Sequence, residues 1–302
     1  MKKSLIIGST VCDIMIYVDK LPTTAGDVHV KEQLMSVGGC AYNVANVLHR
    51  LDLLHTFISP VGTGIYGEFV KSELLKQGMT PEIMVEEANG CCYCFVEQSG
   101  ERTFISHHGV EYTFNPDWLN HLNIDDFDYI YICGLEIEER DGPLIINTLN
   151  NVNGTVIFCP GPRGTLIDSK RLEAVYGLNP IIHCNEEEIK ALTNEQDLET
   201  AVIKMHKRTN NIVITTLGDK GACFYDGAFH YIEGVKAKVV DTVGAGDSHI
   251  GGVIAALTID YDLSDAIRFG NHVSSKIVSR NGVNLNETDV NELRKLLKDS
   301  LM

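Results

Sequence analysis

A chain of 302 residues that is 44% apolar and 22% charged has the material for a sizeable core and the profile of an ordinary soluble globular protein. Its 25 Lys and Arg against 41 Asp and Glu leave a net charge of −16, which argues against a nucleic-acid backbone as partner but not against a small anion held by local N–H groups. No apolar run reaches membrane-spanning length, and the nine cysteines, mostly in apolar runs (Cys133, Cys159, Cys184, Cys223) and without an export signal, read as reduced thiols of a cytoplasmic protein.

In chain order, Ser4 to Ile7 reads as a buried strand ending at Gly8, and Val11 to Val18 and Val28 to Met35 as extended segments. Gly38-Gly39 precede a helix from Ala41 to Leu51. A strand at Phe57 to Val61 and a helix at Glu68 to Gln77 follow. Cys92 to Glu97, a Ser-Gly turn and Arg102 to Ser106 form a hairpin signature. From Asp128 onward strands and helices alternate. Strands are expected at Tyr129 to Cys133, Val156 to Cys159, Ile181 to Cys184 and Ile212 to Thr216. Helices are expected at Leu144 to Leu149, Glu186 to Leu192 and Leu198 to Lys207. Two short strands near Ala222 to Tyr225 and His230 to Ile232 precede an apolar run, Ala237 to Val240, which reads as strand-like. Two helices, Asp262 to Arg280 and Glu287 to Leu297, close the chain. The alternation implies a mostly parallel sheet with helices on both faces, and ligands then sit at the carboxyl ends of the strands. The early extended segments and the hairpin belong to a small projecting β-sheet.

The stretch with the most chemistry is Val239 to Leu257. It passes from an apolar run through Gly244-Ala245-Gly246 into a helix at Asp247, with Ile250, Val253, Ile254 and Leu257 at helical spacing. Free N–H groups and the helix dipole make such a start an anion site, and Asp247 adds a carboxylate that can cap the helix or accept a proton. Gly251 and Gly252 point to close packing. A P-loop is absent. Gly62 to Gly67 matches G-x-G-x-x-G, with Glu86 or Glu87 at a plausible ribose distance. Pro60 interrupts the preceding strand, however, so a plain helix-start turn is the better reading than a dinucleotide site. Cys91-Cys92-x-Cys94 lacks a second pair at metal-site spacing and reads as strand residues. Asn185 followed by Glu186-Glu187-Glu188 reads as a cap and a helix first turn.

Asp241-Thr242-Val243-Gly244-Ala245-Gly246-Asp247 resembles the C-terminal signature of the PfkB (ribokinase-like) family of sugar and nucleoside kinases. Gly38-Gly39-Cys40-Ala41-Tyr42-Asn43 resembles its N-terminal glycine pair, Asn185 to Glu188 its N-x-x-E motif, and Thr216 to Gly221 its nucleotide-side turn. The resemblance implies a single ribokinase-like domain over residues 1–302, a three-layer α/β/α sandwich with lid segments near 11–36 and 90–110. It implies an ATP- and Mg²⁺-dependent kinase with Asp247 as base and the N–H groups of Gly244, Ala245 and Gly246 as anion hole. Asp13, Gly38, Gly39, Asn43 and Glu136 would hold the sugar. Asn185 and Glu188 would organise Mg²⁺ through water, and Thr216, Gly218, Gly221 and Asn271 the nucleotide. Asp241 and Val243 are the positions that would meet a monovalent cation such as K⁺. The lid in such enzymes often pairs subunits, so a homodimer is implied.

Where phosphofructokinase-type members carry a lysine after the glycine pair, this chain has Cys40, which favours an unphosphorylated sugar. Tyr42 is bulky where relatives have a small residue, and is expected to narrow the sugar pocket or stack on a ring. Arg163 offers a cation near a strand end, which keeps an acidic sugar open. The paired histidines His107 and His108 follow the hairpin; such loop histidines are usually solvated, and the alternative reading is that they close over a substrate. The rivals to a sugar kinase are a nucleoside kinase acting on the ribose 5′-hydroxyl, a sensor that has lost catalysis, and an NAD-dependent oxidoreductase.

Overall fold

Apolar side chains occupy consecutive positions in many of the short strands of this chain, so those strands need cover on both faces. A computed structural model, describing residues 2–280 and 282–299, supplies that cover with an eight-stranded sheet between two helical layers. The first half contains β1 (Ser4–Ile7), β2 (Val11–Tyr17), β3 (Glu32–Gly38), α1 (Cys40–Arg50), β4 (His55–Ile58), β5 (Pro60–Thr63), α2 (Gly64–Lys76), β6 (Ile83–Ala88), β7 (Cys91–Val96) and β8 (Arg102–His107). Next come β9 (Tyr129–Cys133), α3 (Gly134–Glu138), α4 (Gly142–Leu149), β10 (Thr155–Cys159), α5 (Ser169–Tyr176), β11 (Ile181–Asn185), α6 (Glu186–Thr193) and α7 (Leu198–Thr209). The chain continues with β12 (Val213–Thr216), β13 (Gly221–Tyr225), β14 (Phe229–Glu233), α8 (Ala245–Leu257), α9 (Leu263–Ile277) and α10 (Glu287–Asp299).

Strands β4-β1-β9-β10-β11-β12 run parallel in that order, and β13 and β14 extend the sheet antiparallel. Side-chain alternation along β9 feeds both layers. Ile130 and Ile132 pack with α4 to α7, while Tyr131 and Cys133 pack with α1, α8, α9 and α10. Helix α8 is buried all round from Ser248 to Leu257 rather than on one stripe. Its glycines permit this: a Cβ at Gly251 would lie 3.0 Å from Val47 Cβ, and one at Gly252 2.8 Å from Val273 Cγ2. The residues expected to project do form a separate sheet, β3-β2-β7-β8, in which β2 pairs antiparallel with β3 and parallel with β7.

Several expectations are corrected. The strand expected over Phe57 to Val61 is two strands, because Pro60 cannot donate to the first ladder. Beyond Ser59 the chain leaves the main sheet, and β5 pairs with β6 instead. Elements β6, α3 and α5 have no counterpart among the expected elements. The apolar run Ala237 to Val240 is no strand; Val239 and Val240 are 61% and 51% exposed in an irregular segment. Helix α8 starts at Ala245, so Asp247 lies inside its first turn and Gly244 is the cap residue.

Candidate active site

The parallel strands end along one edge, and Cys133, Cys159, Asn185 and Thr216, the last residues of β9 to β12, all line a cavity of about 570 Å³. A second cavity of about 640 Å³ lies between the segment after β14 and helix α9, with Gly221, Asn271 and Val278 in its wall. The two share Thr216, Gly218, Thr242, Ala245 and Gly246, so the start of α8 stands at their junction.

Gly244 enters α8 with φ 70°, and a Cβ there would meet Val283 Cγ1 at 2.5 Å. The Ala245 N–H turns to the Thr242 carbonyl oxygen at 3.2 Å, whereas those of Gly246 and Asp247 meet no protein acceptor among the described residues. A Cβ at Gly246 would touch nothing within 4 Å. The open side of this turn is therefore shaped for an anion outside the chain.

Asp247 is half-buried on the wall of the first cavity, and Asn43 Nδ2 of α1 donates to its Oδ2 at 2.8 Å. Its recessed position pushes the carboxyl up to about 6; the Asn43 and Cys40 hydrogen bonds work against that rise, and the charges of Glu188 and Glu136 add to it. Asn43 Oδ1 is buried and has no partner among the described residues. On the neighbouring sheet, the Asp13 carboxylate lies so close to Gly38 that a Cβ there would be 2.0 Å from its Oδ2. Burial alone pushes the Asp13 carboxyl up to about 7. Gly39 caps α1 with φ 103°. Glu136 lies behind the wall: Oε1 accepts the Ser9 N–H at 2.8 Å and Oε2 accepts the Cys133 thiol at 2.5 Å.

Asn185 and Glu188 form a reciprocal capping box at the start of α6, with Glu188 N–H donating to Asn185 Oδ1 at 2.8 Å and Asn185 N–H to Glu188 Oε2 at 3.0 Å. Glu188 Oε1 carries no protein hydrogen bond among the described residues, and Glu188 lines the first cavity. Burial raises this carboxyl, the Asn185 N–H offsets the rise, and Glu187 adds to it. One under-compensated carboxylate fits a hard divalent cation that keeps most of its ligands as water and phosphate. Among the described residues no three His, Cys, Asp or Glu side chains form a metal cage. On the second cavity, Asn271 Nδ2 donates to the Glu233 carbonyl at 3.0 Å. Gly218 takes φ 64°, and a Cβ there would touch nothing within 4 Å.

The profile described as pfkB family carbohydrate kinase matches residues 1–289. The chain belongs to that family. It is 32% identical over 285 residues to the uncharacterized sugar kinase YegV of Escherichia coli strain K12, covering 92% of this chain and 89% of that one. To a nucleoside kinase of Methanothermobacter thermautotrophicus it is 25% identical over 304 residues, covering 96% and 94%. The crystal structure of Thermotoga maritima ribokinase superposes with a TM-score of 0.86 at 23% identity, covering 98% of this chain and 99% of that one, which shows a shared fold. This pfkB-family kinase is thus a ribokinase-like sugar or nucleoside kinase, a phosphotransferase with an alcohol acceptor.

The remaining expectations divide. Tyr42 is fully buried with its hydroxyl on Gln77 Oε1 at 2.6 Å, so it points into the core between α1 and α2 and neither narrows the pocket nor stacks on a ring. Arg163 lines the first cavity, but Glu138 holds it through two hydrogen bonds of 2.6 and 2.5 Å, which neutralises it toward an acidic ligand. His108 pairs with Glu139 at 2.6 Å. The Gly62 to Gly67 turn lies on the β5–β6 pair, with the Gly62 N–H on Asn89 Oδ1, and lines neither cavity. Two features escaped the motifs. Arg102 of β8 pairs with Asp241. His183 of β11 and His249 of α8 stack with Nε2 and Nδ1 2.9 Å apart. Burial lowers both histidines, His249 to about 4, so this pair is neutral at pH 7. The histidine in the middle of the otherwise apolar run Ile181 to Cys184 and the histidine right after Asp247-Ser248 were the available signals.

Proposed function

We propose that this kinase transfers the γ-phosphoryl group of ATP to a primary hydroxyl of a small unphosphorylated sugar. The observation that carries the reading is the junction of the two cavities. There a carboxylate with its pKa lifted to about 6 stands in the same helical turn as two unspent N–H groups, on Gly246 and Asp247. Asp247 is ionised at neutral pH yet basic enough to take the proton of the acceptor hydroxyl as the phosphoryl group arrives. The free N–H groups face the developing phosphoryl charge, and Gly244 and Ala245 shape the turn. Asn43 holds the Asp247 carboxylate in place. Asp13, beside Gly38, has a carboxylate that meets no donor among the described residues and suits sugar hydroxyls.

The second cavity takes the nucleoside of ATP against Asn271, Thr216, Gly218 and Gly221. Asn185 and Glu188 are the residues that would hold Mg²⁺ through water, and the ion would neutralise phosphate charge. The four-stranded sheet of β3, β2, β7 and β8 serves as a lid; it exposes Leu34, Phe104 and Ile105, apolar surface that a homodimer would cover. All nine cysteines are free, which suits a reducing cytoplasm.

An unphosphorylated acceptor is favoured because the cation lining the first cavity, Arg163, is already spent on Glu138 and the third residue of the glycine-pair motif is Cys40. The second reading is a nucleoside kinase, favoured by the likeness to the archaeal nucleoside kinase. A panel of free sugars, sugar phosphates and nucleosides, scored by ADP release, decides between them. A free sugar turning over best is the expected result. Preference for nucleosides or sugar phosphates overturns it.

A further inference from the structure

Asp241 sits just ahead of the anion-binding turn, and 7% of its side chain is exposed. A carboxylate so enclosed needs an opposite charge. Here the family resemblance implies a monovalent cation, at Asp241 and Val243. The structure gives the carboxylate other partners. Arg102 Nη2, from the first residue of β8, lies 2.9 Å from Asp241 Oδ1. The same oxygen accepts the Val243 N–H at 2.9 Å, and Oδ2 accepts the Gly282 N–H at 3.4 Å. Among the described residues, each hydrogen bond and ion pair on the carboxylate thus comes from a donor, and one donor is a guanidinium that cannot lose its proton. A metal ion added at Asp241 would lie within a few ångströms of a permanent positive charge, so the residues present do not fit that ion.

We propose that Arg102 supplies the charge at Asp241 that a monovalent cation would otherwise bring, which makes the kinase independent of K⁺ and delivers that charge from the four-stranded sheet. The segment carrying Asp241 is tied from one side by the Val240 and Asp241 N–H groups, both on the Val278 carbonyl at 2.7 and 3.3 Å. Arg102 ties it from the other side. Between them they brace the turn that presents the Gly246 and Asp247 N–H groups. Arg102 is a positioning residue; it acts through Asp241 and touches no reacting atom. Its charge comes from the sheet that also carries Asp13, so bracing of the turn and placement of the acceptor site depend on one body. The activity arm of the test rests on the kinase reading, and the melting arm stands without it.

The test compares wild type, Arg102→Ala, Arg102→Lys and the double variant Arg102→Ala/Asp241→Asn in K⁺, Na⁺ and tetramethylammonium chloride at one ionic strength. In thermal melts the wild type and Arg102→Lys show no K⁺-specific shift. Arg102→Ala melts lower and regains about 2–4 °C in K⁺, a response the double variant loses. With the best acceptor of the panel, wild-type ADP release is the same in all three salts, and Arg102→Ala loses about tenfold or more and recovers part of it in K⁺ alone. A K⁺-specific rise in wild-type melting temperature or turnover overturns the proposal. So does an Arg102→Ala variant whose melt ignores K⁺. A panel that yields no ADP release with any acceptor counts against the kinase reading and leaves the melting result to decide this one.

Discussion

Helices α2 and α8 both begin in glycine-rich turns, Gly62 to Gly67 and Gly244 to Asp247, and the reasons for glycine differ between them. At the first turn the neighbours are the protein's own backbone: a Cβ at Gly62 would lie 2.0 Å from the Glu87 carbonyl oxygen, and one at Gly67 2.3 Å from the Gly62 carbonyl oxygen. At the second, Gly244 is likewise hemmed in by Val283, but Gly246 meets nothing within 4 Å and faces both cavities. A glycine required by internal packing is a folding constraint. A glycine with open space beside unspent N–H groups is kept for something that comes from outside. The two turns look alike in sequence, and only their surroundings separate scaffold from site.

The largest effect expected on this contrast comes from the carboxylate that only the second turn owns. Asp247→Ala should lower kcat by ~10²–10⁴-fold, the usual cost of removing a general base. Folding should survive. Because the folded protein holds this carboxyl above its ordinary range, its ionised form costs stability at pH 8, so Asp247→Asn should melt no lower than wild type there. Turnover near the wild-type level in either variant would remove Asp247 from the mechanism.

Next in size is a pair of identical substitutions with opposite consequences. Gly62→Ala must move backbone and should destabilise by roughly 2–4 kcal/mol, with per-molecule activity preserved in whatever fraction folds. Gly246→Ala has room for its methyl and improves helix propensity, so it should hold or raise the melting temperature by the equivalent of up to about 1 kcal/mol. On the proposed reading the methyl would stand where the phosphoryl group approaches, so turnover should fall about tenfold or more. Melts and ADP release on the two proteins check this. Should Gly246→Ala stay fully active, the open space beside it has no part in catalysis.

The same contrast shows what the linear chain could reveal. Element type was legible wherever apolar spacing was regular, as in the strands from Tyr129 onward and the Asp262 to Arg280 region, because both faces of the sheet are buried and the pattern is strong. The run Ala237 to Val240 misled for a physical reason. Its apolar residues are exposed, and Ala237 and Val239 line the second cavity, so they are apolar toward a ligand space and not toward a core. Of the site, the glycine turn with Asp247 and the Asn185–Glu188 cap were legible, since each is a local motif with a local cause. Contacts between distant segments were not. Asn43 was expected to serve the sugar; that its amide also donates to Asp247, 204 positions away, was not foreseen. Tyr42, one residue earlier, follows the helix into the core. Arg102 on Asp241 and His183 on His249 depend on which strand ends meet, which no spacing records.

The smallest effect is the most specific test of the Asn43 contact. The Asn43 amide donates to the Asp247 carboxylate and favours its charged form, so it keeps the pKa below the value that burial alone would set. The base works ionised, so kcat at saturating sugar should rise with pH through about 6 in the wild type. Removing the amide in Asn43→Ala takes away a stabiliser of the anion. The limb must therefore move to higher pH, by on the order of one unit, since a hydrogen bond to a charged group is worth about 1.5–3 kcal/mol before solvent screening. Asp13 does not confuse the result. Its carboxyl, lifted to about 7, faces the proposed sugar site, so its ionisation should appear in KM for the sugar rather than in kcat. A kcat profile that keeps its limb near 6 in Asn43→Ala would mean that the amide orients Asp247 without tuning it; a limb that moves to lower pH would reverse the sign and break the assignment.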